Sequence, residues 1–120
     1  MSTPELLKRT CRPCAKGTPP LTAERVQAWL AQVPGWQCVE QRLLRKELKL
    51  ADFLSVIRLV NRIAEIAETE GHHPDLHITG YRRLTIELST HAIGGLSDND
   101  FILAAKIDAL PRVHYTGDTV

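Results

Sequence analysis

The sequence predicts an α+β domain, a four-stranded antiparallel sheet with helices packed on one face. Three observations point there. From Asp52 to about Glu70, the residues Phe53, Val56, Ile57, Val60, Ile63, Ala64 and Ala67 recur at helical spacing. From Arg83 to Ser89 the chain alternates, with Leu84, Ile86 and Leu88 on one face and Arg83, Thr85 and Glu87 on the other. The element order is helix, two strands, helix, two strands, helix, which suits paired antiparallel strands covered by helices.

Residues 1 to about 20 are expected to be a loosely ordered arm, because the stretch from Cys11 to Pro20 is rich in residues that break helices and strands. Thr22 is an N-cap candidate for a first helix from Ala23 to Gln32, whose Val26, Trp29 and Leu30 share a face. Pro34-Gly35 ends it. Trp36 to Val39 and Leu43 to Leu50 are expected strands. In the second, Leu44, Leu48 and Leu50 fall on one side and Lys46 is the misfit. In the central helix, Leu54 and Leu59 widen the apolar surface, which suggests a sheet on one side and a partner subunit on the other. Gly71 is a helix stop. Pro74 disfavours helical backbone at His73, so the chain turns extended there.

Leu76 to Thr79 is a short strand and Gly80-Tyr81 a turn before the alternating strand. Gly94-Gly95 breaks the chain. Ser97, with Asp100 three residues on, resembles a capping box for a last helix from Asp98 to about Leu110. Pro111 stops that helix. The domain is expected over 21–112, with a frayed tail over 113–120.

Formal net charge is +1, so the charge footprint of a nucleic-acid binder is missing. No apolar run approaches the ~20 residues of a membrane span. The first nine residues carry lysine and arginine without an apolar core after them, so they do not form a secretory signal. As a mitochondrial address they are short and interrupted by Glu5. Three cysteines, an odd number, argue against a secreted disulfide framework. The expected compartment is the cytoplasm.

Three of the five histidines fall in two short pieces, Gly71-His72-His73-Pro74 and Ser89-Thr90-His91. Imidazole titrates near neutrality and can both give and take a proton. Glu68 and His72 are about one helical turn apart, so Glu68 is expected to hold the tautomer of His72. An antiparallel hairpin would bring His91 back to the helix exit. Three unrelated surface histidines are the plain alternative. The adjacent pair, braced by Pro74, favours an acid/base site. A metal site built from His72, His73 and His91, with His77 or Glu68 as fourth ligand, ranks lower because Pro74 breaks any helical ligand pair. Cys11 and Cys14 form a single pair in a Pro/Gly-rich arm, which fits neither a zinc site nor a redox helix. Tyr81-Arg82-Arg83 is explained by a solvated turn, and Trp29 and Trp36 by the core.

The pattern Glu68-x3-His72-His73-Pro74, continued through Tyr81, His91 and Asp100, resembles the signature of the pterin-4a-carbinolamine dehydratases. Ser89-Thr90-His91, Gly95-Leu96-Ser97 and Lys49-Leu50-Ala51-Asp52-Phe53 share in the resemblance, which runs from about Leu21 to Leu110. It implies the same helix–strand pattern and assembly into homodimers or homotetramers. It also implies dehydration of a 4a-hydroxytetrahydropterin to the quinonoid dihydropterin, which recycles the cofactor of aromatic amino acid hydroxylases. No cofactor or metal is implied. His72, His73 and His91 would be the catalytic set, with acid and base unassigned. Glu68, Gly71, Pro74, Ser89, Thr90, Ala92 and Asp100 would line or support the pterin. Many family members have an acidic residue where this chain has Gly71, and tryptophan where it has Leu76. These departures bear on affinity more than on the reaction. A binding or assembly protein on the same fold is the competing expectation, and loss of the histidines would mark it.

Overall fold

The computed structural model describes residues 2–110. Its first element was not foreseen. A helix, α1 (Thr3–Lys8), forms where a loose arm was expected. The Ser2 side chain caps it by accepting from the Glu5 N–H, and Pro4 falls in its first turn, where no N–H is needed. So short a helix is not stable by itself. It is held because Leu6 is fully buried in the core and Thr3 Oγ1 donates to the Gln32 carbonyl at 2.8 Å. Leu6→Ala is therefore expected to lower stability by ~2–5 kcal/mol in urea unfolding. An unchanged midpoint would show that α1 is an appendage.

Helix α2 (Ala23–Leu30) starts at the Thr22 cap as expected but ends before Gln32. There the N–H groups of Gln32 and Val33 turn back to the carbonyls of Trp29 and Leu30, tightening the chain before Pro34-Gly35. Strands β1 (Gln37–Val39) and β2 (Leu43–Lys49) pair antiparallel across a turn in which Glu40 and Gln41 both have positive φ. Helix α3 (Phe53–Glu70) is capped by Asp52, which accepts from the Ser55 N–H at 2.7 Å. It buries Val56, Leu59, Ile63 and Ala67, one stripe at helical period, and leaves Phe53 and Leu54 exposed.

Strands β3 (Asp75–Thr79) and β4 (Arg83–Leu88) form the second hairpin, and the sheet order is β1-β2-β4-β3, all antiparallel. Register sets Leu44 opposite Leu88 and Leu48 opposite Leu84 on the buried face. Lys46, the misfit, lies on this face opposite Ile86. Its ammonium reaches Asp108 at 2.8 Å, and Asp108 also accepts from the Trp36 indole at 3.0 Å. The other face carries the Arg45–Glu87 ion pair, at 2.7 Å.

A single 3-10 turn (His91–Ile93) and a bridge from Thr90 to Gly95 lead into helix α4 (Asp98–Asp108). Both halves of the expected capping box form, Ser97 to the helix and Asp100 back to the Ser97 N–H. The helix ends short of Leu110, and its buried residues, Asn99 to Ala105 and Ile107, cover every side. It serves as the centre of the core, with α1 and α3 against it and the Trp29 ring edge-on to Phe101. The Pro111 stop and the tail over 113–120 lie outside the described residues. Among the described residues no helix is long and apolar enough to cross a membrane.

Candidate active site

The two adjacent histidines point to different surroundings, and Gly71 is the reason. Gly71 takes the left-handed conformation (φ 66°), and both its N–H and that of His72 return to the Ala67 carbonyl. The helix is therefore over before His72. Pro74 then commits the chain to β3. The His72 ring turns inward and is only 12% exposed, with Nε2 2.7 Å from Asp100 Oδ1. The His73 ring stays at the surface, 61% exposed, with Nε2 2.5 Å from Glu68 Oε2. The expected Glu68–His72 contact is thus replaced by Glu68–His73. One-turn spacing holds only while the backbone stays helical, and here it does not.

Asp100 is fully buried and every contact on it is a donor. Thr90 Oγ1 donates to Oδ2 at 2.8 Å and the Ser97 N–H donates to Oδ2 at 3.0 Å, leaving Oδ1 for His72. Thr90 and Ser97 hydroxyls meet at 2.7 Å. As a carboxylate, Asp100 can only accept, so it holds the proton of His72 on Nε2 and frees Nδ1. Glu68 does the same for His73. His91 occupies the 3-10 turn beyond β4, and its ring has no hydrogen bond to a described residue.

These three imidazoles line one cavity of about 260 Å³, together with Gly71, Ser89, Thr90 and Ala92. That volume is just below the range of small-ligand sites, ~300–1,000 Å³. A second hollow of about 340 Å³ shares Ser89, Thr90 and His91 and adds Arg42 and Asp75. Glu68 and Asp100 stand behind the rings rather than in the wall, and Pro74 acts through the backbone. His77, a candidate fourth ligand, is turned away, its Nε2 3.1 Å from Glu87 Oε1. Among the described residues no group of three or more His, Cys, Asp or Glu side chains is placed to hold a metal ion.

The rest of the wall was missed from sequence. Arg12, Pro13, Cys14 and Asn99 complete the cavity. The arm is pinned by its backbone. Buried Asn99 accepts the Arg12 N–H at 3.0 Å and donates to the Arg12 carbonyl at 2.6 Å. The Cys11 N–H donates to Glu70 at 2.8 Å, and Lys106 Nζ donates to the other oxygen of Glu70 at 2.8 Å. Burial works to raise the Glu70 carboxyl, but the hydrogen bonds from Lys106 and Cys11 outweigh it and hold the group below its ordinary value. Burial, reinforced by Glu70, pushes the Cys11 thiol up to about 12, so it is a structural thiol at neutral pH. Farther along, Pro20 crosses Gly95 so closely that a Cβ there would lie 2.9 Å from it.

Residues 19–110 match the family model described as pterin 4 alpha carbinolamine dehydratase. A relative from Rubrobacter xylanophilus, named for the same dehydratase, is 41% identical over 106 residues, which are 88% of this chain and 98% of that one. A solved structure titled transcriptional coactivator/pterin dehydratase, from Brucella melitensis, is 30% identical with a TM-score of 0.70, over 75% of this chain and 96% of that chain. Another, a pterin dehydratase-like protein identified as a RuBisCO assembly factor in the alpha-carboxysome, shares the fold with a TM-score of 0.50 at 20% identity, over 62% of this chain and 83% of that chain. The match takes in both hairpins, the paired histidines, His91 and the capping carboxylate, and the chain belongs to the pterin 4 alpha carbinolamine dehydratase family.

Proposed function

We propose that the protein removes water from a 4a-hydroxytetrahydropterin to give the quinonoid dihydropterin. The C4a–O bond breaks as the leaving hydroxyl takes a proton from one imidazole. The N5 proton passes to another as the C4a–N5 double bond forms. One proton is given and one taken, so the net charge of the site is unchanged and no added reagent is consumed; a proton passes from the second imidazole back to the first before the next turnover. Hydroxide is a poor leaving group, so an acid near neutrality is the first requirement and a base the second. Such a group contributes typically ~10²–10⁴-fold.

The observation that supports this reading is the convergence of His72, His73 and His91 on one cavity, with separate carboxylates behind the first two. Ser89, Thr90 and Ala92 would bound the pterin ring, with Gly71 below it. An assembly protein on this fold has no need of the three imidazoles, and their presence favours the enzyme. The reading includes recycling of the cofactor of an aromatic amino acid hydroxylase, work in the cytoplasm, and a homodimer or homotetramer. In a crystal soaked with a dihydropterin, the ring is expected among His72, His73 and His91. A ring bound elsewhere, with this cavity empty, would overturn the assignment of the site.

A further inference from the structure

The arm gives the cavity a cation, and nothing in the proposed elimination requires one. Arg12 is an exposed side chain on a fixed backbone. Asn99, only 7% exposed, holds both its N–H and its carbonyl. An exposed arginine is ordinarily just solvated, but this one is clamped at both its N–H and its carbonyl beside a cavity.

Four carboxylates around the site are engaged. Asp98 pairs with Arg9 at 3.1 Å, Glu70 with Lys106, Glu68 with His73, and Asp100 with His72. The Arg12 guanidinium makes no hydrogen bond or ion pair with a described residue. The cavity wall therefore combines three imidazoles with an arginine that no described carboxylate pairs, an arrangement that attracts anions. The adjoining hollow differs, since its Arg42 shares the space with Asp75 and Glu40. A guanidinium presents a planar fork of donors that matches a carboxylate or phosphate bidentately.

We propose that Arg12 is a specificity-determining residue of this site, selecting pterins whose ring substituent carries an anionic group, a carboxylate or a phosphate. This rests on the pterin reading above and extends it to the substituent. The pterin ring lies at the histidines, and its substituent reaches the arm at Arg12. Asn99 is the positioning residue that keeps Arg12 at the wall.

The test is equilibrium binding to the intact protein, followed by pterin fluorescence. Three probes are compared: pterin-6-carboxylate, a pterin with a phosphorylated 6-hydroxymethyl group, and neutral 6-hydroxymethylpterin. Arg12→Gln is expected to weaken at least one anionic probe about 5- to 10-fold, as suits a charged hydrogen bond partly screened by water. The neutral probe should change less than about 2-fold, since a surface arginine contributes little to folding. Arg12→Lys should recover part of the loss. The anionic probe that responds tells carboxylate from phosphate. Equal weakening of all three probes, or of none, would overturn the proposal while leaving the pterin site in place. Failure of all three to bind the native protein would remove the pterin reading and this proposal with it.

Discussion

Replacing His73 with alanine is expected to lower kcat by ~10²–10⁴-fold without changing the fold. The two halves of that result come from one feature. His73 is 61% exposed and its partner, Glu68, is 78% exposed, so their pair is a surface contact that holds the ring in place but adds little to stability. The urea midpoint should move no more than for an ordinary surface substitution, within ~0.5 kcal/mol. Its ring nonetheless borders the cavity, with Nδ1 left for chemistry by the carboxylate on Nε2. Steady-state kinetics paired with unfolding curves checks both halves. A kcat within a few-fold of native, with stability unchanged, would take His73 out of the reaction and leave the work to His72 and His91.

Asp100→Ala is expected to damage both stability and turnover. Removing the carboxylate strands the Ser97 N–H in the interior, leaves the Thr90 hydroxyl only the Ser97 hydroxyl, and leaves His72 without its partner. Each buried group left unsatisfied costs ~1–3 kcal/mol, so a loss of at least ~2 kcal/mol is expected in urea unfolding. Asp100→Asn separates the two effects. It keeps the volume and one acceptor oxygen, and should recover part of the stability. Its amide N–H₂ adds donors to a place where every neighbour already donates. His72 would then lose its enforced tautomer, with kcat down ~10²-fold. Native turnover in the Asn variant would mean that the charge on Asp100 serves only the helix cap.

The core and the order of the elements were legible because they rest on local periodicity. Val56, Leu59, Ile63 and Ala67 write the buried stripe of α3, and Leu84, Ile86 and Leu88 write that of β4. Gly71 signalled the end of α3 in advance, and the Ser97–Asp100 box signalled the start of α4. The histidine cluster was legible too, but its internal pairing was not. Glu68 was expected to serve His72, whereas the left-handed turn at Gly71 handed it to His73 and gave His72 to Asp100. That exchange depends on where two elements meet in space, which spacing along one chain does not record.

The arm was misread for the same reason. Its composition is that of a loop, and buried Leu6 and the Thr3–Gln32 hydrogen bond anchor its helix. The rest of it is pinned by Glu70 and by a buried asparagine 87 positions away. Lys46 looked like an error in an otherwise apolar face because its partner, Asp108, lies 62 positions on. In each case local chemistry set the element, and a long-range polar contact set its use.

The most direct test of the account is the rate at which a 4a-hydroxytetrahydropterin, formed by a pterin-dependent hydroxylase, disappears when the native protein is added. The ultraviolet absorbance of the intermediate reports this rate. The account predicts that loss accelerates in proportion to protein concentration, and that His73→Ala abolishes most of the acceleration. A rate that stays at the uncatalysed value with fully folded native protein would contradict it.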